Sequence, residues 1–92
     1  MTVLIHRHPA TVRGTDGTPY RASIFGGSRA DDTWTAWIEF DATDGSRRRL
    51  RTGQETSQPD RAAVEYWAAG LEPIYYDGAL GRAVPVEPEP AG

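Results

Sequence analysis

Few residues of this chain have types and spacing that could do chemistry, and two histidines near its start come first. His6 and His8 are two positions apart, which puts both imidazoles on one face of a strand, as in some metal-binding strands. Leu4 shares that face, and the sequence offers no third ligand beside them. An ordinary exposed strand edge explains the pair better than a metal site, so we expect no bound metal.

Acidic residues supply the other candidates. Asp31 and Asp32 carry oxygen atoms of the kind that divalent cations bind, but adjacent aspartates in a glycine- and serine-containing loop usually form solvated turns. Glu55 lies in a short link between a predicted strand and a predicted helix, where it could act in catalysis or bond backbone amides or Arg61. The bonding role is the simpler interpretation. No serine–histidine motif and no phosphate-binding glycine loop is recognisable, so we predict no catalytic residue and no cofactor.

Chain length and composition limit the class of protein. The 92 residues suffice for one domain with a thin core, which we expect over residues 1–84, and the Pro- and Glu-rich residues 85–92 predict a disordered tail. No cysteine is present, so disulfides are excluded. No apolar run approaches the ~18 residues of a membrane span, and no signal-peptide pattern opens the chain. We therefore expect a cytoplasmic protein without a membrane partner.

A helix is the clearest local signal. Ser57 and Asp60 have the spacing of a capping box, which predicts a helix that begins at Gln58 with Pro59 in its first turn. Apolar residues then recur with helical period and form one stripe, which consists of Val64, Trp67, Ala68 and Leu71. This stripe predicts packing of the helix against a sheet.

The helix has a predicted end and a predicted successor. Gly70 is the natural residue for a left-handed helix stop, and Pro73 prevents the helix from resuming. The following run of Ile74 and two tyrosines is rich in strand formers, so we predict a final short strand over residues 72–77.

The same region carries a resemblance. It is similar to a family of small uncharacterised bacterial proteins with the pattern R-T-x-x-E-T-T-Q-P-x-R, then Y-W-A-x-G-L, then Y-L-E-G-A-L-x-R-A. The residues that match are Arg51, Thr52, Glu55, Thr56, Gln58, Pro59, Arg61, Tyr66, Trp67, Ala68, Gly70, Leu71, Tyr75, Gly78, Ala79, Leu80, Arg82 and Ala83. Ser57 and the pair Tyr76–Asp77 depart from the pattern. The resemblance implies no established activity.

Alternating apolar residues predict the sheet, with strands over residues 2–8, 20–26 and 33–41 and a fourth after Gly45. A three-residue turn at residues 43–45 would place Glu39 opposite Arg49 and Trp37 opposite Arg51. A two-residue turn would place Leu50 opposite Glu39, which mixes the two faces of the sheet. The first register also pairs Asp41 with Arg47, so the arginine run becomes a set of cross-strand ion pairs.

The aromatic residues divide between the two faces of this sheet. Those predicted to pack in the core between sheet and helix are Tyr20, Trp34, Phe40 and Trp67. Phe25 and Trp37 are predicted to face away from the helix. Two adjacent exposed aromatics on a small domain suggest a binding surface, with coverage by the amino-terminal segment as the alternative.

We predict an α+β fold: a four-stranded antiparallel β-meander, one helix packed on one face, and a final short strand. The leading functional hypothesis is a non-enzymatic protein-interaction module, with a homodimer as one form, whose surface comprises Phe25, Trp37, Arg49 and Arg51. The alternative is a small-molecule or enzymatic pocket near Glu55, Tyr66, Tyr75 and Tyr76. Nucleic-acid binding through the arginine-bearing sheet face ranks lower, because the net charge is −3 and the arginines are paired.

Overall fold

The structure is a computed structural model that describes residues 1–86. Its elements, in chain order, are β1 (Thr2–Arg7), β2 (Val12–Arg13), β3 (Pro19–Ser28), β4 (Trp34–Ala42), β5 (Arg49–Arg51), β6 (Thr56–Gln58), α1 (Arg61–Ala69), α2 (Pro73–Arg82) and β7 (Val84–Pro85). The strands form one antiparallel sheet in the order β1-β3-β4-β5-β7, with β2 also paired to β3 and β6 also paired to β4. The α+β class is confirmed, and the sheet has more strands than the four predicted.

The β3–β4 pair is the centre of the sheet, and its alternation builds the core. Ala22 lies opposite Phe40 and Ile24 opposite Ile38, and all four side chains are fully buried. Both helices pack on this inner face, where the buried residues of α1 and α2 join the same cluster. The molecule is only 18 Å thick in its shortest dimension, which fits one helical layer on one sheet.

The predicted aromatic core is confirmed in part. Tyr20 and Phe40 are buried and meet edge to face, with ring centroids 6.4 Å apart. Trp34 and Trp67 are only partly buried and pack against the edge of the cluster. The centre of the inner face therefore consists of aliphatic side chains with Tyr20, Phe40 and Tyr76, and the two tryptophans lie at its margin.

The β4–β5 register differs from the predicted one by two residues. Glu39 lies opposite Arg51 and Asp41 opposite Arg49, so the predicted pairs Glu39–Arg49 and Asp41–Arg47 are wrong. The Ala42 N–H donates to the Arg48 carbonyl at 2.9 Å, which leaves a loop over residues 43–47, longer than the three-residue turn predicted. Because side chains alternate with period two, a shift of two keeps every residue on its predicted face.

Helix α1 begins three residues later than predicted. Asp60 is its N-cap, and the Asp60 carboxylate accepts a hydrogen bond from the Ala63 N–H at 2.9 Å. Ser57, the predicted cap, instead lies in β6 opposite Thr35, because residues 56–58 find hydrogen-bond partners on the free part of β4. The predicted start at Gln58 is therefore wrong, while the apolar stripe of α1 does face the core.

The end of α1 and the segment after it also differ from prediction. Gly70 has φ −89°, so the helix ends in a right-handed conformation rather than a left-handed one. The predicted strand over residues 72–77 is wrong: Pro73 opens α2 in its first turn, where a missing N–H costs nothing. Burial of Tyr76, Ala79 and Leu80 at helical spacing overrides the local strand preference.

The chain then returns to the sheet edge. Val84 and Pro85 pair with β5, and the Val86 N–H donates to the Arg49 carbonyl at 3.0 Å. The tail predicted from residue 85 therefore begins within the sheet, and its remainder, residues 87–92, lies outside the described residues. Neither α1 nor α2, the two helices of residues 1–86, has the length and apolarity needed to cross a membrane.

Candidate functional site

The outer face of the sheet, which is the face turned away from α1 and α2, carries the predicted interaction residues. Strand pairing arranges its side chains in rows. The first row is apolar and consists of Leu4, Phe25 and Trp37. Phe25 and Trp37 lie directly opposite each other and are half-buried, while Leu4 is 46% exposed. No helix of residues 1–86 covers this row.

Two further rows alternate charge across the strands. The second row contains Arg7, Ser23, Glu39, Arg51 and Val84. The third contains Arg21, Asp41, Arg49 and Val86. A column of carboxylates on β4 thus lies between arginines of β1 and β3 on one side and arginines of β5 on the other. Four arginines against two carboxylates leave a formal charge of +2 in these two rows of a chain whose net charge is −3.

Contacts on the outer face hold its polar side chains in place. The Arg51 guanidinium lies 4.6 Å from the Trp37 ring centroid and makes a cation–π contact with it, although Arg51 lies opposite Glu39 and not, as predicted, opposite Trp37. The Trp37 indole N–H donates to the Glu39 carboxylate at 3.0 Å, and Arg49 donates to Asp41 at 2.8 Å. The hydrogen bond that Arg49 donates to Asp41 raises the pKa of the Arg49 guanidinium, which keeps it charged. These contacts therefore fix the positions of the Trp37 indole and of the Arg49 and Arg51 guanidinium groups.

The Glu55 clasp, formed by Glu55, Tyr75 and Arg82, lies on the helical side. Tyr75 Oη donates to Glu55 Oε1 at 2.6 Å, and Arg82 Nη2 donates to the same oxygen at 2.5 Å. The Glu55 side chain is only 9% exposed, and its backbone N–H donates to the Ala36 carbonyl at 2.8 Å. The clasp therefore joins α2 to the link before β6. Glu55 has a bonding role, but its partners are Tyr75 and Arg82 and not the backbone amides or Arg61 that were predicted.

The clasp gathers only half of the predicted pocket. Glu55 and Tyr75 are together, but Tyr66 is 85% exposed on α1, and Tyr76 is buried under the sheet. The Tyr76 hydroxyl has no hydrogen-bond partner among the described residues. Sequence reasoning missed Arg82, although Tyr75 and Arg82 are seven residues apart and so share one face of a helix. That spacing carries meaning only once residues 73–82 are recognised as helical.

Ionisation of Tyr75 gives a test of the clasp. Burial, and then the hydrogen bond to Glu55, raise the pKa of Tyr75 to about 12. The folded state therefore holds this proton more tightly than the unfolded state, whose tyrosine pKa is about 10. This contribution to stability is complete below pH ~10 and is lost as the pH rises towards ~12. The urea unfolding midpoint of the parent chain should fall as the pH rises from ~10 to ~12, and that of Tyr75→Phe should fall less steeply. Equal slopes of midpoint against pH in the two chains would contradict a buried hydrogen bond between Tyr75 and Glu55.

The two histidines do not share the environment that the sequence predicts. A bulge between Leu4 and His6 interrupts the alternation of β1. His8 lies beyond the strand, and its ring stacks on Tyr76 with centroids 4.0 Å apart and planes inclined by 14°. Burial in this contact, and then the charge of His6, lower the pKa of His8. His8 thus packs against α2, and within residues 1–86 no cluster of three or more histidine, aspartate or glutamate side chains could hold a metal ion.

Asp31 and Asp32 form a turn in the loop between β3 and β4. The Asp31 carboxylate accepts from the Thr33 hydroxyl at 2.6 Å and from the Thr33 N–H at 3.1 Å, and both bonds lower the pKa of Asp31. Asp32 has φ 67°, the left-handed conformation that a tight turn requires. These contacts account for both residues without a cation.

Two of the shallow cavities that residues 1–86 form lie away from the outer face and the clasp. One, of about 460 Å³, lies between the β2–β3 loop and the end of α2; its polar lining includes Arg48 and Asp16, which pair with each other at 3.1 Å. The other, of about 620 Å³, is a mainly apolar groove along α1 beside Tyr66, Trp67 and Leu71. Because Arg48 and Asp16 bind each other, the first cavity has fewer polar groups free to recognise a ligand.

Comparisons of the chain with protein-family models, with curated proteins and with solved structures each find no match. The resemblance to the small bacterial family therefore stays a prediction, and function is inferred from geometry.

Proposed function

We propose that this chain is a non-enzymatic protein-interaction module that binds its partner through the outer face of the sheet. The observation that carries the proposal is the row of Leu4, Phe25 and Trp37, which lies open on a sheet face beside ordered arginines. Tryptophan and arginine are the side chains that most often dominate binding energy at protein interfaces. The predicted cytoplasmic location belongs to the same proposal.

The composition of the outer face supports a protein partner. Leu4, Val84 and Val86, three of the exposed large apolar residues, lie on it together with the half-buried Phe25 and Trp37. The five strands of this face have six, ten, nine, three and two residues and are spaced ~4.8 Å apart, so they cover roughly 500 Å². An interface confined to this face is therefore smaller than the standard one, which buries about 800 Å² per partner.

Preorganisation supports the same conclusion. Trp37 is held by Arg51 on its ring and by Glu39 at its indole N–H, so binding orders fewer rotamers. Ordering a mobile side chain at an interface costs roughly 0.5–1.5 kcal/mol, and a side chain already held in place avoids part of that cost.

The other two hypotheses receive less support from the contacts. A phosphate backbone placed on the outer face would meet the carboxylates of Glu39 and Asp41 in its centre, where a nucleic-acid platform needs positive charge. A catalytic role for Glu55 would require a substrate site beside its carboxylate, whereas this mostly buried group is bound by Tyr75 and Arg82 and lines neither of the two cavities described above.

Site-specific photo-crosslinking tests the proposal. A benzophenone-bearing phenylalanine analogue at Phe25 should give a saturable adduct in an extract of the source cells, which excess unlabelled protein competes away. The same analogue at Tyr66, which is 85% exposed on α1, is the matched control and should give no such adduct. Adducts of equal yield at both positions, or at Tyr66 alone, would contradict an interaction surface on the sheet.

A further inference from the structure

We infer that the partner of the outer face is a second copy of this chain, bound sheet against sheet about a two-fold axis that runs along the strands between β4 and β5. This inference rests on the proposed function and names its partner. It follows from the order of charges across the two strands.

The charges of β4 and β5 are arranged in matching columns. β4 carries Glu39 and Asp41, and β5 carries Arg51 and Arg49 at the same two levels of the sheet. A two-fold rotation about an axis between these strands exchanges the columns. Glu39 then faces Arg51 of the second copy, and Asp41 faces Arg49 of the second copy. The face is therefore complementary to itself, as a two-fold interface requires.

Of the apolar row, Trp37 fits the same arrangement, while the rotation carries Phe25 and Leu4 outward past β5 to the margin of the contact. The Thr52 N–H donates to the Ile38 carbonyl and the Glu55 N–H donates to the Ala36 carbonyl, so the three residues 53–55 lie across from the single residue Trp37. A Cβ atom at Gly53 would meet no other atom within 4 Å, so the surface is open at that point. The axis that exchanges β4 and β5 brings the Trp37 indole of each copy over residues 53–55 of the other, where Gly53 has no side chain. This gives the largest side chain of the face a space to fill.

The remaining arginines are accommodated at the margin. Arg7 and Arg21 belong to β1 and β3, so the rotation carries them outward beyond β5, towards Val84 and Val86 of the second copy. Their aliphatic stems can cover these valines while the guanidinium groups stay in water. An arrangement with β4 placed over β4 would instead oppose carboxylate to carboxylate, which disfavours that register.

Two charge reversals, studied alone and mixed, test the inference by sedimentation velocity. The wild-type chain of 10.1 kDa should sediment as a dimer of about 20 kDa at tens of micromolar. Glu39→Arg opposes arginine to arginine in the dimer, and Arg51→Glu opposes glutamate to glutamate, so each variant alone should associate at least tenfold more weakly. In an equimolar mixture, Arg at 39 faces Glu at 51 and Arg51 faces Glu39, and dimerisation should recover to within a few-fold of wild type.

Mixing separates contacts between copies from contacts within one copy. Glu39 and Arg51 are also cross-strand neighbours in a single chain, so either substitution alone could act through local folding. Mixing leaves every internal contact unchanged, and recovery on mixing therefore has no explanation within one chain. Thermal melts of both variants, together with Trp37→Ala as a second variant that lowers association without a charge change, guard against loss of fold.

Several outcomes would overturn the inference. A wild-type chain that stays monomeric at hundreds of micromolar, a mixture no more dimeric than its components, or an oligonucleotide that binds the monomer with a steep salt dependence would each do so. If the wild type is monomeric and the Phe25 adduct contains another protein, the proposed function stands and only the identity of the partner is wrong. If Phe25 gives no competed adduct either, both proposals are wrong.

Discussion

Phe40→Ala is expected to leave the protein largely unfolded, whereas Trp37→Ala, three residues earlier in β4, is expected to leave the fold nearly as stable as the parent. Phe40 is fully buried on the inner face and packs edge to face with Tyr20. Truncation of a buried phenylalanine leaves a cavity and costs roughly 3–5 kcal/mol, a large part of the ~5–10 kcal/mol that a domain of this size commonly has.

Trp37 is the matched control for Phe40 because it lies on the same strand and the opposite face. It is half-buried, and its contacts are with Arg51 and Glu39 at the surface. Chemical unfolding midpoints of both variants make the comparison. If Trp37→Ala unfolds and Phe40→Ala does not, the inner and outer faces are assigned the wrong way round.

Glu55→Ala is expected to destabilise the protein by about 2–3 kcal/mol, because it leaves the Tyr75 hydroxyl and the Arg82 guanidinium without their acceptor. Arg82 is half-exposed, so water replaces part of what it loses, and the full cost of a buried broken ion pair does not arise. Glu55→Gln keeps an acceptor for Tyr75 and should cost about 1 kcal/mol.

Glu65→Ala is the control for this second comparison. Glu65 pairs with Arg61 at 3.1 Å on α1, but both side chains are about half-exposed, so its loss should cost less than about 0.5 kcal/mol. Urea midpoints at neutral pH measure all three variants. A Glu55→Ala variant as stable as Glu65→Ala would show that the clasp does not hold α2. If folded Glu55→Ala still dimerises, the clasp contributes to stability and takes no part in association through the outer face.

The face of the sheet on which a side chain lies was predictable from the sequence, because side chains alternate along a strand. Alternation in residues 33–41 assigns Phe40 to the core and Trp37 to the opposite face, and the structure agrees. These assignments survive the wrong hairpin register, because an error of two residues does not change the face. The candidate interaction surface was therefore predictable even though its cross-strand neighbours were not.

Features that depend on distant contacts were not predictable in the same way. Ser57 has good capping chemistry, but its segment pairs with β4, a competition that no local pattern reveals. Residues 74–76 have strand-forming side chains, and only the burial of Tyr76, Ala79 and Leu80 beneath the sheet makes them helical. Trp67 was predicted as a core residue, yet it lies at the margin, because the centre is filled from β3 and β4.

The Glu55 clasp shows how one such error hides a site. Arg82 cannot be placed beside Glu55 if residues 72–77 form the predicted strand. Once α2 is a helix, Tyr75 and Arg82 lie on one face two turns apart, and both reach the same carboxylate oxygen. The sequence could single out Glu55 as the carboxylate of interest, but it could not predict that Tyr75 and Arg82 donate hydrogen bonds to it.

The weight-average mass of the wild-type chain and of Trp37→Ala across a concentration series, measured by sedimentation equilibrium, tests the central claim most directly. The wild type should rise from 10.1 kDa towards about 20 kDa with concentration, while folded Trp37→Ala stays near the monomer mass. A wild-type mass that remains at 10.1 kDa throughout, or a folded Trp37→Ala that dimerises as the wild type does, would contradict association through the outer face of the sheet.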